Sequence, residues 1–157
     1  TNSVNSIKIY RMWYKVTFFL AILLMSSCSK ESTNRNPYLL DTGFRFDMNL
    51  NLPLYSPLKN IGNPIFVGTN GVGTRGMFVI KSSIDQYMAF EASCPNHAPN
   101  NCSTMKMKGQ TATCECDGYE YSLFTGQLLN RPKDGKSYYD MLYYQADFNG
   151  GVVTVSN

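Results

Sequence analysis

The sequence predicts an all-β domain of short antiparallel strands, and three observations carry that prediction. Between residues 44 and 54, Phe44, Phe46, Met48, Leu50, Leu52 and Leu54 alternate with Arg45, Asp47, Asn49 and Asn51. Period two puts every second side chain on one face of a strand. The later apolar runs are brief and are parted by Gly, Pro, Asn and Asp clusters, the residues that turns require. No stretch after Cys28 has the 3.6-residue period of a helix. At 157 residues the chain holds one ordinary domain.

From the start of the chain, residues 1–27 contain Lys8, Arg11 and Lys15 and no acidic side chain. The formal charge of the whole chain is +3, so this leader accounts for all of it and the remainder is neutral. A phosphate-binding face is not indicated, and nucleic acid is set aside as a partner. The apolar run 16–25, VTFFLAILLM, is shorter than the roughly 20 residues that cross a bilayer core. It fits the hydrophobic region of an export signal. Leu24-Met25-Ser26-Ser27-Cys28 is similar to the lipobox of bacterial lipoproteins. That similarity implies cleavage before Cys28, lipidation of its thiol and anchoring to a bacterial membrane, periplasmic or surface-exposed. Residues 1–11 precede Met12 and are assigned no function, being compatible with untranslated upstream sequence.

The expected organisation is a signal peptide at 1–27, a lipidated Cys with a flexible tether at 28–43, and the β domain at 44–157. The text 29–37, SKESTNRNP, is polar and lacks periodicity, as a tether would. After the alternating segment, strands are expected at 65–67, 77–81, 86–91, 105–108, 111–114, 138–145 and 152–155. Asn149-Gly150 between the last two suits the centre of a type I′ hairpin, which needs positive φ at both positions.

Five cysteines occur. Beyond Cys28 they fall in two groups, Cys94-Pro95-Asn96-His97 with Cys102, and Cys114-Glu115-Cys116-Asp117-Gly118. Loops held by a β scaffold are where ligands are presented. With Tyr119-Glu120-Tyr121, Gly126 and Arg131-Pro132 following, this arrangement resembles Rieske iron–sulfur domains. In that family a Cys-x-His loop with a second Cys faces a Cys-Pro-Cys-His-Gly loop. The resemblance implies an antiparallel sheet sandwich with two cluster-type loops, Cys94 and Cys114 as thiolates on one iron, and a Cys102–Cys116 disulfide tying the loops.

The histidines depart from the pattern. A Rieske centre places two imidazoles on its second iron, and the chain has one His. Asp117 stands at the second-loop His position, Asn96 at the first, and His97 is displaced by one residue. Two states are open. An altered 2Fe-2S cluster would use Cys94, His97, Cys114 and Asp117, and would transfer electrons at the cell envelope to a redox partner protein. In the cluster-free state the loops are held by Cys102–Cys116 and a further Cys94–Cys114 bridge, without a cofactor, in an oxidising compartment. The cluster-free state leads. Cys94, His97, Cys114 and Cys116 can also be written as a Cys₃His zinc site, but an exported chain oxidises its thiols and Cys-x-Cys is short for a zinc pair.

Other features reduce to packing. Met105 and Met107 are expected to share one strand face in the core. The pairs Tyr138-Tyr139 and Tyr143-Tyr144 split between two faces. Gly68, Gly71, Gly73 and Gly76 read as a wide turn, since no Lys-Ser/Thr follows to make a phosphate loop. One histidine leaves hydrolytic triads without parts. The expectation is therefore a non-enzymatic envelope lipoprotein of Rieske-like form. Its competing class is a structural or ligand-binding lipoprotein on a disulfide-stapled β scaffold.

Overall fold

The computed structural model describes residues 36–39 and 42–157. The expected signal peptide and the lipidation site Cys28 lie outside the described residues. Among the described residues no helix is long and apolar enough to cross a membrane.

The fold class is all-β. Among the described residues the strands are β1 (Arg45–Asn49), β2 (Pro64–Val67), β3 (Met77–Ser83), β4 (Gln86–Glu91), β5 (Lys106–Lys108), β6 (Thr111–Thr113), β7 (Glu120–Ser122), β8 (Tyr143–Asn149) and β9 (Val152–Ser156). A four-residue 3-10 helix, Ser56–Lys59, lies between β1 and β2. Six strands form one sheet in the order β1-β9-β8-β4-β3-β2, and three form a second in the order β5-β6-β7. Every registered pair is antiparallel.

The sequence pattern of each strand follows from how many faces it buries. In β3, Met77 and Val79 pack into a core with Met48, Val153 and Val155. Phe78 and Ile80 point the other way, into a second core with Cys94, Cys114 and Tyr121. A strand covered on both sides reads as an unbroken apolar run, whereas β1 buries Met48 and exposes Arg45, Asp47 and Asn49. Each fully buried large side chain here contributes roughly 1.5–3 kcal/mol. The second core lies directly beneath the two cysteine groups.

Several elements differ from expectation for local reasons. The alternation 44–54 stops being a strand at Asn49, because the Asn49 side chain accepts the Asn51 N–H at 2.9 Å and Asn49 O accepts the Leu52 N–H at 3.0 Å. Turn chemistry overrides the apolar pattern there. Leu52 and Leu54 are consequently 51% and 71% exposed. The last hairpin turns on Gly150 and Gly151, at φ 57° and 83°, with Asn149 opposite Val152. It is one residue later than expected, since two glycines meet the type I′ requirement without steric cost. Residues 138–142 are loop, and β8 begins at Tyr143. Met105 is buried but Met107 is 39% exposed. The backbone changes partner between them, from Ala92 to the small sheet.

Two further contacts position the site. The Glu91 carboxylate is buried and accepts hydrogen bonds from the N–H groups of Thr74, Arg75 and Ser93 and from the Tyr144 hydroxyl, at 2.5–3.0 Å. It ties the glycine-rich loop 68–76 to the end of β4, from which the first cysteine loop departs. Part of the expected tether packs against the domain: Leu39 is buried, and the Asn36 side chain donates to Pro95 O at 2.7 Å.

Candidate functional site

Each cysteine group sits on a short, closed turn. In the first loop the Cys94 N–H donates to Ser103 O at 2.8 Å, and Asn100 Oδ1 accepts the Cys102 N–H at 2.9 Å. The second loop connects β6 to β7. There the Cys114 N–H donates to Tyr119 O at 2.8 Å, the Gly118 N–H donates to Cys114 O at 2.9 Å, and Gly118 has φ 74°. Glycine suits that left-handed position because it has no Cβ to clash.

Two disulfides join the loops. Cys94 bonds to Cys114, with Cα atoms 5.6 Å apart, and Cys102 bonds to Cys116, with Cα atoms 5.5 Å apart. Cys94 and Cys114 are buried within the second core, while Cys102 is exposed.

His97 leans over the buried bridge. Its Nε2 lies 3.3 Å from Cys114 Sγ and its Nδ1 lies 2.9 Å from Ala98 O. A carbonyl only accepts, so Nδ1 carries a proton, and Nε2 is the ring nitrogen that faces the sulfurs. The ligand atoms of Cys94, His97, Cys114 and Cys116 lie within 4.8 Å of one another.

The remaining candidates are engaged elsewhere. Asp117 is exposed, and its Oδ1 accepts the Tyr119 N–H at 3.0 Å, an Asx turn that shapes the second loop. Asn96 donates to the Tyr121 hydroxyl and to Tyr139 O, both at 2.9 Å, and accepts the Tyr139 N–H at 2.8 Å. Burial pushes the Tyr121 phenol well above its ordinary range, which keeps that hydroxyl protonated. A third loop is thereby held against the first. Arg131 braces it, donating to Tyr138 O and to the Asp140 carboxylate, each at 2.7 Å.

A Rieske-type cluster needs two thiolates and two imidazoles. Here all four sulfurs are bridged, the single imidazole faces a disulfide, and Asn96 and Asp117 serve backbone hydrogen bonds. These residues do not fit such a cluster. Of the expected ligand set, the fold brings Cys94, His97 and Cys114 together and adds Cys116, whereas Asp117 is not among them. The anchoring roles of Asn96 and Glu91 were not visible as motifs. For Glu91 the signal is a lone acid directly after the apolar run 87–90, in a chain whose acids are otherwise mostly exposed.

No protein-family model matches the chain, and no curated protein matches it. Solved structures do. The chain is similar to the cyanobacterial plasma membrane Rieske protein PetC3 from Synechocystis PCC 6803, with 20% identity over 64% of this chain and 91% of that one and a TM-score of 0.46. It is also similar to a chain from the complex of reduced oxygenase and oxidized ferredoxin in carbazole 1,9a-dioxygenase, with 16% identity over 74% of this chain and 94% of that one and a TM-score of 0.43.

Proposed function

We propose that the chain is a lipid-anchored, non-enzymatic protein of the bacterial cell envelope, in which a Rieske-like scaffold carries two disulfides where a cluster would sit. The carrying observation is that Cys94, Cys102, Cys114 and Cys116 are all consumed in bridges between the two loops. Disulfides persist in oxidising compartments, which agrees with the export signal read from residues 1–28. The module then works as a rigid structural or ligand-presenting surface, held off the membrane by its tether.

The test is the iron content and visible spectrum of the full chain isolated after expression with iron supplied. The expected result is no iron and no visible bands, with both bridges recovered by non-reducing peptide mapping. About two irons per chain with iron–sulfur absorption would overturn the proposal. That outcome would favour the second reading, electron transfer to a redox partner. The observation on its side is His97 Nε2 held 3.3 Å from Cys114 Sγ.

A further inference from the structure

The same loops hold the parts of a different centre. Cys94, His97, Cys114 and Cys116 offer three sulfurs and one imidazole nitrogen, all within 4.8 Å of one another. The imidazole is oriented as a ligand should be, since Nδ1–H is fixed on Ala98 O and Nε2 is turned towards the sulfurs. Cys94 and Cys114 lie among Ala92, Met105, Tyr121 and Leu123, so that side of the site is dry and rigid. Resting on the reading that no cluster occupies these loops, we propose that a dithiol reductant converts the double disulfide into a tetrahedral Cys₃His site. That site takes one zinc-class divalent ion through Cys94, His97, Cys114 and Cys116.

The chemistry balances in two stages. Each disulfide accepts two electrons and two protons from a dithiol, which leaves as its own disulfide, and four thiols result. One divalent ion then binds the thiolates of Cys94, Cys114 and Cys116 and releases their three protons, while His97 coordinates through Nε2 in the neutral form that ligation requires. Cys102 remains an exposed free thiol.

The movements required are small. Thiolates about 2.3 Å from a tetrahedral ion lie roughly 3.8 Å apart. The Cys94 and Cys114 sulfurs must therefore separate by less than about 2 Å from their bridged position, and no other pair needs to close by more than about 1 Å. Side-chain rotation covers both. Oxidation reverses the process, because a bridged sulfur is not a thiolate ligand. Metal occupancy is thus tied to the redox state of the compartment.

The experiment titrates the full chain with cobalt(II) in detergent, before and after reduction by a dithiol-free phosphine. The expected result is one cobalt per reduced chain, with the intense thiolate-to-metal and visible bands of a tetrahedral sulfur-rich site, and none for the oxidised chain. Cys94→Ser, Cys114→Ser and Cys116→Ser should each weaken binding at least tenfold, and His97→Ala should weaken it and shift the visible bands. Cys102→Ser should bind like the parent. If the reduced metal-free chain unfolds, metal-dependent refolding with this same residue dependence supports the site. A reduced chain that binds no cobalt would overturn the inference, as would binding that needs Cys102 and spares Cys116 and His97. Those results leave the cluster-free reading standing, because that reading is decided separately by the iron content of the oxidised chain.

Discussion

Asn96 and Tyr139 are joined twice: the Asn96 amide accepts the Tyr139 N–H at 2.8 Å and donates to Tyr139 O at 2.9 Å. A side chain here imitates the paired bonds of a β ladder and fastens the third loop to the first, and its second N–H reaches the Tyr121 hydroxyl. Asn96→Ala removes three hydrogen bonds of about 1 kcal/mol each and leaves partners unsatisfied. The expected loss is about 2–4 kcal/mol in urea unfolding. A loss under half a kcal/mol, outside error, would show that the loops are held by the disulfides alone. Asn96→His, although it restores the spacing of the family motif, breaks the same bonds and should destabilise comparably.

The two bridges differ in access. Cys102 is exposed, whereas Cys94 and Cys114 are buried in the second core. Thiol exchange requires a reductant to reach a sulfur, so mild reduction of the folded chain should open Cys102–Cys116 first. Cys94–Cys114 should open later and more slowly. In the chain-entropy model, closing a loop of this size stabilises by about 3 kcal/mol, so the first step alone should lower the melting temperature. Timed alkylation with peptide mapping checks the order, and simultaneous labelling of all four cysteines under native conditions would contradict it.

The strands were legible where patterning is strong. β4, at Gln86–Glu91, and β9, at Val152–Ser156, follow from apolar runs bounded by turn residues, whereas β8 runs from Tyr143 to Asn149 rather than over the expected 138–145. β7, at Glu120–Ser122, did not show itself, because three residues cannot display a period and its pairing with β6 is set by the tight Cys114–Tyr119 turn. The cysteine spacing marked both loops. Sequence could not reveal that Asn96 is a clamp, since that role depends on a loop distant in the chain, whereas an Asx turn at Asp117 is a local role open to sequence reading. A ligand position and a capping position ask for similar polar side chains.

Glu91 accepts four hydrogen bonds from buried or partly buried donors, and two of them, from the Thr74 and Arg75 N–H groups, anchor the glycine-rich loop. Gly73 makes room for it: a Cβ there would meet Glu91 Oε2 at 2.5 Å and the Tyr144 hydroxyl at 2.6 Å, at φ 58°. Glu91→Gln replaces one acceptor oxygen with a donor facing donors, and should cost about 2–3 kcal/mol. Gly73→Ala should be similarly harmful through clash and left-handed strain. Protease sensitivity confined to residues 68–76 is the expected local signature, and wild-type resistance in both variants would refute the anchoring role.

Anchoring is tested at Cys28. Cys28→Ser removes the thiol that the lipobox-like segment offers for lipidation, and every strand among the described residues lies beyond residue 44. The variant should leave the detergent phase on partitioning while keeping both disulfides and its melting temperature. Equal partitioning of the variant and the parent would dismiss the lipid anchor.

Tyr121 supplies a pH dependence whose sign is fixed by its surroundings. Burial is the main cause that raises its phenol above the ordinary 10.0, with nearby Asp117 and Asp140 acting in the same direction against the bond from Asn96. In the unfolded chain the phenol ionises near its ordinary value, whereas in the fold it keeps its proton at higher pH. Above about pH 10 the folded state therefore holds more protons than the unfolded one, and linkage makes stability fall as pH rises. Below that point the contribution is fully present and flat. Tyr87 and Tyr138 are raised too, so the alkaline loss does not rest on Tyr121 alone. Tyr121→Phe should cost about 1 kcal/mol at neutral pH by removing one acceptor for Asn96, and should make the decline above pH 10 shallower. Urea unfolding of parent and variant between pH 8 and 11, with the disulfides intact, measures both effects. A variant that loses stability with the same slope as the parent would show that the Tyr121 proton is not held by the fold.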